Sequence, residues 1–207
     1  MSDAPRWNRW NEGGGPKYPH EKVVQFVFRT FPRTGRDAIR VLDLGCGSGV
    51  HTQFLAGEGF VTFARDLSEV GVANTRARLT AAGLSADVAV GTVAAIDLPE
   101  ASVDGVISVG VLDCAGAAVF GAAVAEVTRV LAPGGTALLL FASDEDFRVQ
   151  GPNELGLYGF TDADVEVARR AVLPQLEYFW RDRYVTTYQD RAIQQNDHLL
   201  TLRKARP

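Results

Sequence analysis

The chain contains only two cysteines, Cys46 and Cys114, among its 207 residues. Two cysteines are too few for a disulfide framework, and they do not form the paired spacing of a zinc site. Long apolar runs are also missing: the longest, between Val109 and Val124, is interrupted by glycines and by Asp113. A membrane-spanning helix needs roughly 18 consecutive apolar residues. We therefore expect no metal site, no membrane as a partner, and the cytoplasm as the location.

Basic residues are in the minority, because 21 Lys and Arg face 25 Asp and Glu, for a net charge of −4. Proteins that bind nucleic acid through phosphate neutralisation usually carry a basic excess, so nucleic acid is not favoured as a partner. The polar start at residues 1–6 does not resemble a secretory signal. A chain of this length is expected to form one domain, and we expect a monomer or a homodimer.

Strand and helix patterns alternate along most of the chain. Strands are predicted at 40–44, 60–65, 88–90, 103–109, 136–141, 176–186 and 197–204, the last two joined by a polar turn. Helices are predicted at 19–31, 52–57, 68–82, 117–131 and 162–171, with Ser68 and Thr161 as N-terminal caps. This order predicts an α/β domain whose sheet is mostly parallel and covered by helices on both faces. The polar, glycine-rich residues 1–18 are predicted to form a flexible arm or lid.

The stretch VLDLGCGSGVHT, Val41 to Thr52, places Gly45, Gly47 and Gly49 directly after a predicted strand. A glycine turn between a strand and a helix exposes backbone N–H groups at the carboxyl edge of the sheet, where such folds bind ligands. The spacing differs from the nicotinamide fingerprint, because Val50 stands where its third glycine belongs. No Gly-Lys-Ser/Thr follows, so a Walker loop is excluded as well.

The spacing Asp-x-Gly-x-Gly-x-Gly resembles the first motif of the class I S-adenosylmethionine-dependent methyltransferases. Three further stretches are similar to motifs of that family, in the same order along residues 20–141. They are VTFARDLS, in which Asp66 ends the second strand, DLPEASVDGVIS from Asp97 to Ser108, and EVTRVLAPGG from Glu126 to Gly135. The resemblance implies the family's Rossmann-like fold, a three-layer sandwich with a seven-stranded, mostly parallel sheet whose last strand is antiparallel. It divides the single domain, 1–207, into the arm, a cofactor-binding core at 40–141 and a candidate substrate loop at 142–160.

The resemblance also implies the cofactor, S-adenosylmethionine, and its product S-adenosylhomocysteine (SAH). Asp66 would accept hydrogen bonds from the two ribose hydroxyls, which gives a physical reason for a carboxylate there. The other implied cofactor-binding residues are Asp43 beneath the loop, Gly45, Cys46, Gly47 and Gly49 in it, Leu67, Thr92 and Val93 at the adenine, and Val109 and Gly110 at the methionine end. From the arm, Tyr18, His20 or Lys17 would reach the methionine carboxylate, with Trp7, Trp10 and Tyr18 alternatively serving as a hydrophobic lid or as packed arm residues.

Methyl transfer depends mainly on alignment in a dry site, and a general base matters chiefly for hydroxyl acceptors. Asp113 follows the fourth strand and is a candidate catalytic base, or else a cap for the helix that begins near Ala117. His20 is a second catalytic candidate, or else a surface residue at a helix start. His51 and His198 are expected to be structural, and Cys114 is expected to be a buried small side chain.

The substrate loop contains Asp144, Glu145 and Asp146, which either face the acceptor or form a solvated acidic loop. Phe147, Leu155, Tyr158 and Phe160 either line an apolar pocket or anchor the loop. With no inserted domain and no basic stripe, a small-molecule acceptor is favoured, methylated on oxygen slightly ahead of nitrogen. The alternatives are a methyltransferase of tRNA or protein, and a non-catalytic cofactor-binding partner subunit.

Overall fold

The computed structural model of the chain describes residues 4–188, 190 and 193–207. Its centre is a seven-stranded sheet in the order β3-β2-β1-β4-β5-β7-β6. The strands are β1 Arg40–Leu44, β2 Val61–Asp66, β3 Asp87–Val90, β4 Val103–Val109, β5 Leu131–Ala142, β6 Leu176–Tyr188 and β7 Ile193–Lys204. The first five run parallel, and β7 is antiparallel to both of its neighbours. The fold class predicted from the sequence is confirmed.

Eight α-helices accompany the sheet in the described part of the chain. They are α1 Ala4–Glu12, α2 Glu21–Thr30, α3 Val50–Gly57, α4 Glu69–Ala82, α5 Leu112–Ala115, α6 Ala117–Val130, α7 Phe147–Gln150 and α8 Asp162–Val172. Both predicted caps are present: the Ser68 hydroxyl accepts a hydrogen bond from the Gly71 N–H, and Thr161 forms a capping box with Asp164. Each cap satisfies a backbone donor that has no partner within its own helix.

Apolar side chains on neighbouring strand positions enter two different hydrophobic clusters, one on each face of the sheet. Val106 packs in the cluster that contains the α6 and α8 side chains, and the next residue, Ile107, packs with α2 and α3. On β5, Leu139 lies in the first of these clusters and Leu138 lies in the second. Because successive side chains of a strand point to opposite faces, both faces are covered and the domain has three layers.

Three features of the fold differ from the prediction. Residues 4–12 of the arm form helix α1, which ends where glycines begin at Gly13. The APGG segment belongs to β5: Leu131 pairs with Val103, Thr136 pairs with Gly105, and the residues between them bulge out of register. The closing strands β6 and β7 are also longer than predicted, and residues 189, 191 and 192 of the predicted polar turn lie outside the described residues.

The strand order places three loops at one edge of the sheet. From β1 the chain moves outward to β2 and β3, and it then crosses to β4 on the other side of β1. Asp43 of β1 pairs with Ala64 of β2 and with Ile107 of β4, so the segments after these strands are neighbours. A reversal of strand order of this kind opens a crevice at the carboxyl ends of the strands, which is the usual ligand site in open α/β sheets.

Candidate active site

The glycines of the loop after β1 have different structural roles. Gly45, Gly47 and Gly49 all adopt positive φ angles, 85°, 47° and 78°. A Cβ atom on Gly45 would lie 2.1 Å from a methyl of Val111, and one on Gly49 would lie 2.7 Å from the Cα of Thr75. At Gly47 the nearest atom would be the Asn11 Oδ1, at an ordinary 3.4 Å. Close packing therefore requires glycine at positions 45 and 49, whereas a Cβ at Gly47 would make only an ordinary contact with Asn11.

Asp66, at the end of β2, joins two loops through its carboxylate. Its Oδ2 accepts a hydrogen bond from the Gly47 N–H at 2.7 Å, and its Oδ1 accepts one from the Ser68 N–H at 2.8 Å. Burial raises the pKa of this carboxyl, and the two N–H donors oppose that shift. Both donors come from the main chain, so the fold itself fixes where this carboxylate points.

Asp43 lies beneath the glycine loop and does not line the cavity described below. It is buried, and its Oδ2 accepts a hydrogen bond from the Thr52 hydroxyl of α3 at 2.6 Å. Burial is the main cause that raises the pKa of Asp43 to about 7, and the nearby charge of Asp66 adds to it. Asp43 thus connects β1 to α3 under the loop.

A cavity of about 490 Å³ begins at the glycine loop and extends past the end of β4. Its size is typical of a small-molecule site. Of the residues predicted to bind the cofactor, the following line it: Gly45, Cys46, Gly47, Asp66, Leu67, Thr92, Val93, Val109 and Gly110. Gly49 does not, because it faces Thr75, and neither does Tyr18, which is 82% exposed. The prediction that Tyr18 reaches the ligand is not supported by this placement, because the arm enters the cavity through earlier residues.

Helix α1 covers the cofactor end of this cavity. Trp7, Trp10 and Asn11 line it, followed by Gly15 and Pro16. Asn8, on the same helix, accepts a hydrogen bond from the Ser68 hydroxyl at 2.7 Å, and the Asn74 side chain of α4 donates one to the Asn11 carbonyl at 2.8 Å. In the sequence, this covering role is indicated by the two tryptophans, because large aromatic side chains in a polar segment are expected to pack against another surface.

Asp113 also lines the cavity, in the first turn of α5, which follows β4 in the chain. Its side chain is only 1% exposed, and its Oδ2 accepts a hydrogen bond from the Ala142 N–H at 3.2 Å. Its Oδ1 is buried and has no hydrogen-bond partner among the described residues. Burial raises the pKa of Asp113 to about 6, while the Arg148 charge lowers it and the Asp197 charge raises it. Helix α6 has Gly116 as its N-cap, without a side-chain bond, so the cap interpretation of Asp113 is wrong.

Arg148, on α7, lines the cavity and is held by two buried carboxylates. Its Nε and Nη2 donate to the two oxygens of Asp146 at 2.8 and 3.0 Å, and its Nη2 also donates to Asp197 of β7. Asp146 is fully buried, whereas Asp144 is exposed, so the acidic segment is not uniformly solvated. Asp146 was among the predicted acidic residues of the loop, whereas Arg148 was not predicted, because an arginine two residues after an aspartate carries no recognisable motif.

The histidines occupy structural positions, including the one proposed for catalysis. His20 is the N-cap of α2, and its Nδ1 accepts a hydrogen bond from the Lys22 N–H at 3.1 Å. It does not line the cavity, so the structure does not place this catalytic candidate there. His51 does line it: its Nε2 accepts a hydrogen bond from the His20 N–H, and burial lowers the pKa of His51 to about 4. His198 is buried and bonded through Nε2 to the Phe160 carbonyl.

The aromatic residues of the substrate loop do not form the predicted pocket. Phe160 is fully buried in the core against Phe120 and Phe141, with ring centroids 4.3 and 5.1 Å away. Phe147 and Tyr158 are partly exposed and do not line the cavity. Leu155 does line it, as predicted. The loop thus supplies aliphatic side chains to the cavity and uses an aromatic one as its anchor.

Within residues 4–188, 190 and 193–207, no group of His, Cys, Asp and Glu side chains could hold a metal ion. No helix in that part of the chain is both long and apolar enough to cross a membrane.

The chemistry of the cavity fits S-adenosylmethionine. Gly47 has no side chain and lines the cavity, so its main chain can lie directly against a ligand. The Asp66 carboxylate provides the charged acceptor that ribose hydroxyls need, and Leu67 and Val93 provide apolar contact nearby. The residues present therefore meet the requirements of this cofactor.

The comparisons with known proteins agree with this chemistry. Residues 41–135 match the family described as methyltransferase domain. No curated protein is significantly similar in sequence.

Several solved structures share the fold. A SAM-dependent methyltransferase from Methanosarcina mazei aligns with a TM-score of 0.69 and 17% identity, over 88% of this chain and 98% of that one. Magnesium protoporphyrin IX methyltransferase from Synechocystis PCC 6803, with bound SAH, aligns with a TM-score of 0.71 and 16% identity, over 98% and 96%. A structure described by the conversion of a disulfide bond into a thioacetal group during echinomycin biosynthesis has a TM-score of 0.74 and 18% identity, over 98% and 92%. The segment 41–135 matches the methyltransferase domain family, and the chain as a whole shares the fold of S-adenosylmethionine-dependent methyltransferases.

Proposed function

We propose that this methyltransferase modifies a small-molecule acceptor, on oxygen slightly ahead of nitrogen, with Asp113 as the group that accepts the proton. The observation that carries the proposal is one continuous cavity that is lined by the glycine loop, by Asp66 and by Asp113. Its volume of about 490 Å³ suits a small ligand. The net charge of −4 gives no support to nucleic acid as the acceptor.

Under this proposal the cofactor is held largely by main chain. Gly45, Cys46 and Gly47 would contact the methionine moiety through backbone atoms, and Gly49 and Asp43 would support the loop from behind. Asp66 would bind the ribose. Around the rest of the ligand, Leu67, Thr92 and Val93 would contact the adenine, while Val109 and Gly110 would close over the methionine end.

S-adenosylmethionine supplies a methyl group already activated on a positively charged sulfur. The protein is then left with three tasks, which are to orient the acceptor, exclude water and take up a proton. Trp7 and Trp10 of α1 cover the cavity and are suited to excluding water. Asp113, which lines the cavity, is the group that we propose takes up the proton.

The preference for oxygen follows from what Asp113 can do. A hydroxyl acceptor loses a proton during transfer, so a nearby base assists it, whereas an uncharged amine already presents its lone pair. A carboxylate with a pKa of about 6 is mostly ionised at neutral pH and still more basic than an ordinary aspartate.

Incubation with methyl-tritiated S-adenosylmethionine and a cell extract divided by size tests this proposal. We expect the label in the low-molecular-weight fraction, and we expect Asp113→Asn to reduce the rate at least tenfold while SAH binds as before. Asp144→Asn is the matched control, because this nearby acidic side chain is exposed and its loss should change little. Label confined to RNA or protein would contradict the small-molecule proposal, and full activity of Asp113→Asn would remove Asp113 from it.

A further inference from the structure

Asn11 of α1 brings an uncharged amide to the cofactor end of the cavity. The residue lines the cavity beside Trp7 and Trp10 and is only 5% exposed. Its Nδ2 donates one hydrogen bond, to the Trp7 carbonyl at 3.0 Å, and this bond fixes which end of the amide carries the N–H groups. In the described part of the chain, neither the second Nδ2 hydrogen nor the Oδ1 has a hydrogen-bond partner, and the Oδ1 is not sealed from solvent. The amide therefore keeps one donor and one acceptor for a ligand.

Hydrogen bonds to α4 and to its cap hold this part of α1 in place. The Asn74 side chain donates to the Asn11 carbonyl at 2.8 Å, and the Ser68 hydroxyl donates to the Asn8 Oδ1 at 2.7 Å. A helix anchored at two points presents the Asn11 side chain from a fixed backbone, as a binding residue requires.

Asn11 and Asp66 meet beside the bare backbone of Gly71, in the first turn of α4. A Cβ atom placed on Gly71 would lie 3.0 Å from the Asn11 Nδ2 and 3.3 Å from the Asp66 Cγ. These two atoms are therefore at most about 6 Å apart, a span that one hydroxyl can bridge by hydrogen-bonding to both side chains. The Asn11 Oδ1, in turn, lies 3.4 Å from the corresponding position on Gly47. The amide thus borders both the glycine loop and the carboxylate.

Asp66 can satisfy only the hydrogen of a ribose hydroxyl. An ionised carboxylate accepts hydrogen bonds and cannot donate them, so each hydroxyl donates its single hydrogen to Asp66. The hydroxyl oxygen can still accept a hydrogen bond, and in a covered site a protein group has to supply the donor. The second Nδ2 hydrogen of Asn11 is such a donor, because it belongs to the neighbouring side chain and has no partner of its own among the described residues.

We propose that Asn11 is a cofactor-binding residue whose Nδ2 donates a hydrogen bond to one of the two ribose hydroxyls that donate to Asp66. The inference rests on the proposed function, because it takes Asp66 as the acceptor for the ribose. It gives α1 a part in recognition besides covering the cavity, since the bound ribose then joins this helix to the end of β2.

Calorimetric titration of the full chain with SAH and with its 2′-deoxy and 3′-deoxy analogues tests the contact without turnover. The penalty for losing a hydroxyl is the dissociation constant of the analogue divided by that of SAH. In the wild type both penalties should exceed one, because each analogue loses a charge-assisted hydrogen bond to Asp66. In Asn11→Ala the penalty for one hydroxyl should be about fivefold smaller than in the wild type, while the penalty for the other should be unchanged.

Two further variants separate this contact from packing. Asn11→Leu has nearly the shape of asparagine but no hydrogen-bonding group, and it should behave as Asn11→Ala does. Asn8→Ala is the matched control, because Asn8 lies on the same helix and bonds to Ser68 but does not line the cavity. A loosened α1 lowers the affinity of Asn8→Ala for SAH, yet both of its penalties should equal those of the wild type. Circular dichroism verifies that each variant is folded.

The outcomes distinguish failure of this inference from failure of the proposed function. Unchanged penalties in both Asn11 variants, an equal fall for both hydroxyls, or the same fall in Asn8→Ala would overturn the role of Asn11 and leave Asp66 as the ribose acceptor. Equal affinity of the wild type for SAH and for both analogues would show instead that the ribose assignment in the proposed function is wrong, and the inference would fail with it.

Discussion

The burial of Asp113 predicts a stability change with pH that the Asp113→Asn variant removes. The carboxyl is almost completely inaccessible, and its pKa lies near 6 instead of 3.8. A shift of about 2 units, at 1.36 kcal/mol per unit, corresponds to roughly 3 kcal/mol. This is the free energy by which the folded protein disfavours the ionised form relative to the unfolded chain.

The direction of the change in stability with pH follows from the raised pKa of Asp113. Below about pH 4 the carboxyl is protonated in both the folded and the unfolded state, and it carries no penalty. Between about pH 4 and pH 6 the unfolded chain ionises first, so the contribution of Asp113 to stability is lost as the pH rises through its folded pKa. The charges of Arg148 and Asp197 face Asp113 and are present in both proteins.

Urea unfolding of the wild type and of Asp113→Asn at several pH values measures the effect. The free energy of unfolding of the variant minus that of the wild type should increase by about 3 kcal/mol between about pH 3 and pH 7. Asp43, whose pKa burial raises to about 7, cancels in this difference because both proteins contain it. Asp144→Asn, at the exposed position, should show no comparable trend. A difference that does not change with pH would refute the burial argument and weaken Asp113 as a base.

The remaining predictions concern the loop, the covering helix and the core. Gly47→Ala should weaken SAH binding more than tenfold in calorimetry, because the added methyl occupies the ligand's space. The control Gly83→Ala, at a similar positive φ of 65° with no atom nearby, should cost about 1 kcal/mol of stability and leave the SAH dissociation constant unchanged. Equal affinities in both variants would contradict the contact between Gly47 and the cofactor. SAH should alter the tryptophan fluorescence of the wild type but not that of a Trp7→Phe, Trp10→Phe double variant, which retains only Trp180 on β6. A fluorescence change on SAH binding in the double variant would contradict the covering role of α1. Phe160→Ala should lower the free energy of unfolding by about 3–5 kcal/mol in urea titrations, because the ring is fully buried between Phe120 and Phe141, and a loss below about 1 kcal/mol would argue against that anchor.

The cofactor end was predictable because its signals are local. The glycine spacing fixes a turn between β1 and α3, and the strand that ends at Asp66 is its neighbour in the sheet. Short-range backbone requirements of this kind leave a clear pattern in a single sequence. The cap at Ser68 is equally local, and the structure confirms it.

The acceptor end depends on contacts between distant segments. Asp113, Arg148 and Asp197 come from α5, α7 and β7, and nothing in their separate neighbourhoods indicates that they meet. Helix α1 is similar, since it is held by Asn8 bonding to Ser68, 60 residues away in the sequence. The placement of Tyr18 outside the cavity has the same cause, because the arm turns away after Pro16.

A calorimetric titration of SAH into the wild type and into Asp66→Ala tests the central claim most directly. We predict saturable binding of one SAH per chain, weakened about a hundredfold in the variant by the loss of two charge-assisted hydrogen bonds to the ribose. No heat of binding to the wild type at millimolar SAH, or equal affinity in Asp66→Ala, would contradict the claim that the bare backbone at Gly47 and the carboxylate of Asp66 together bind the cofactor.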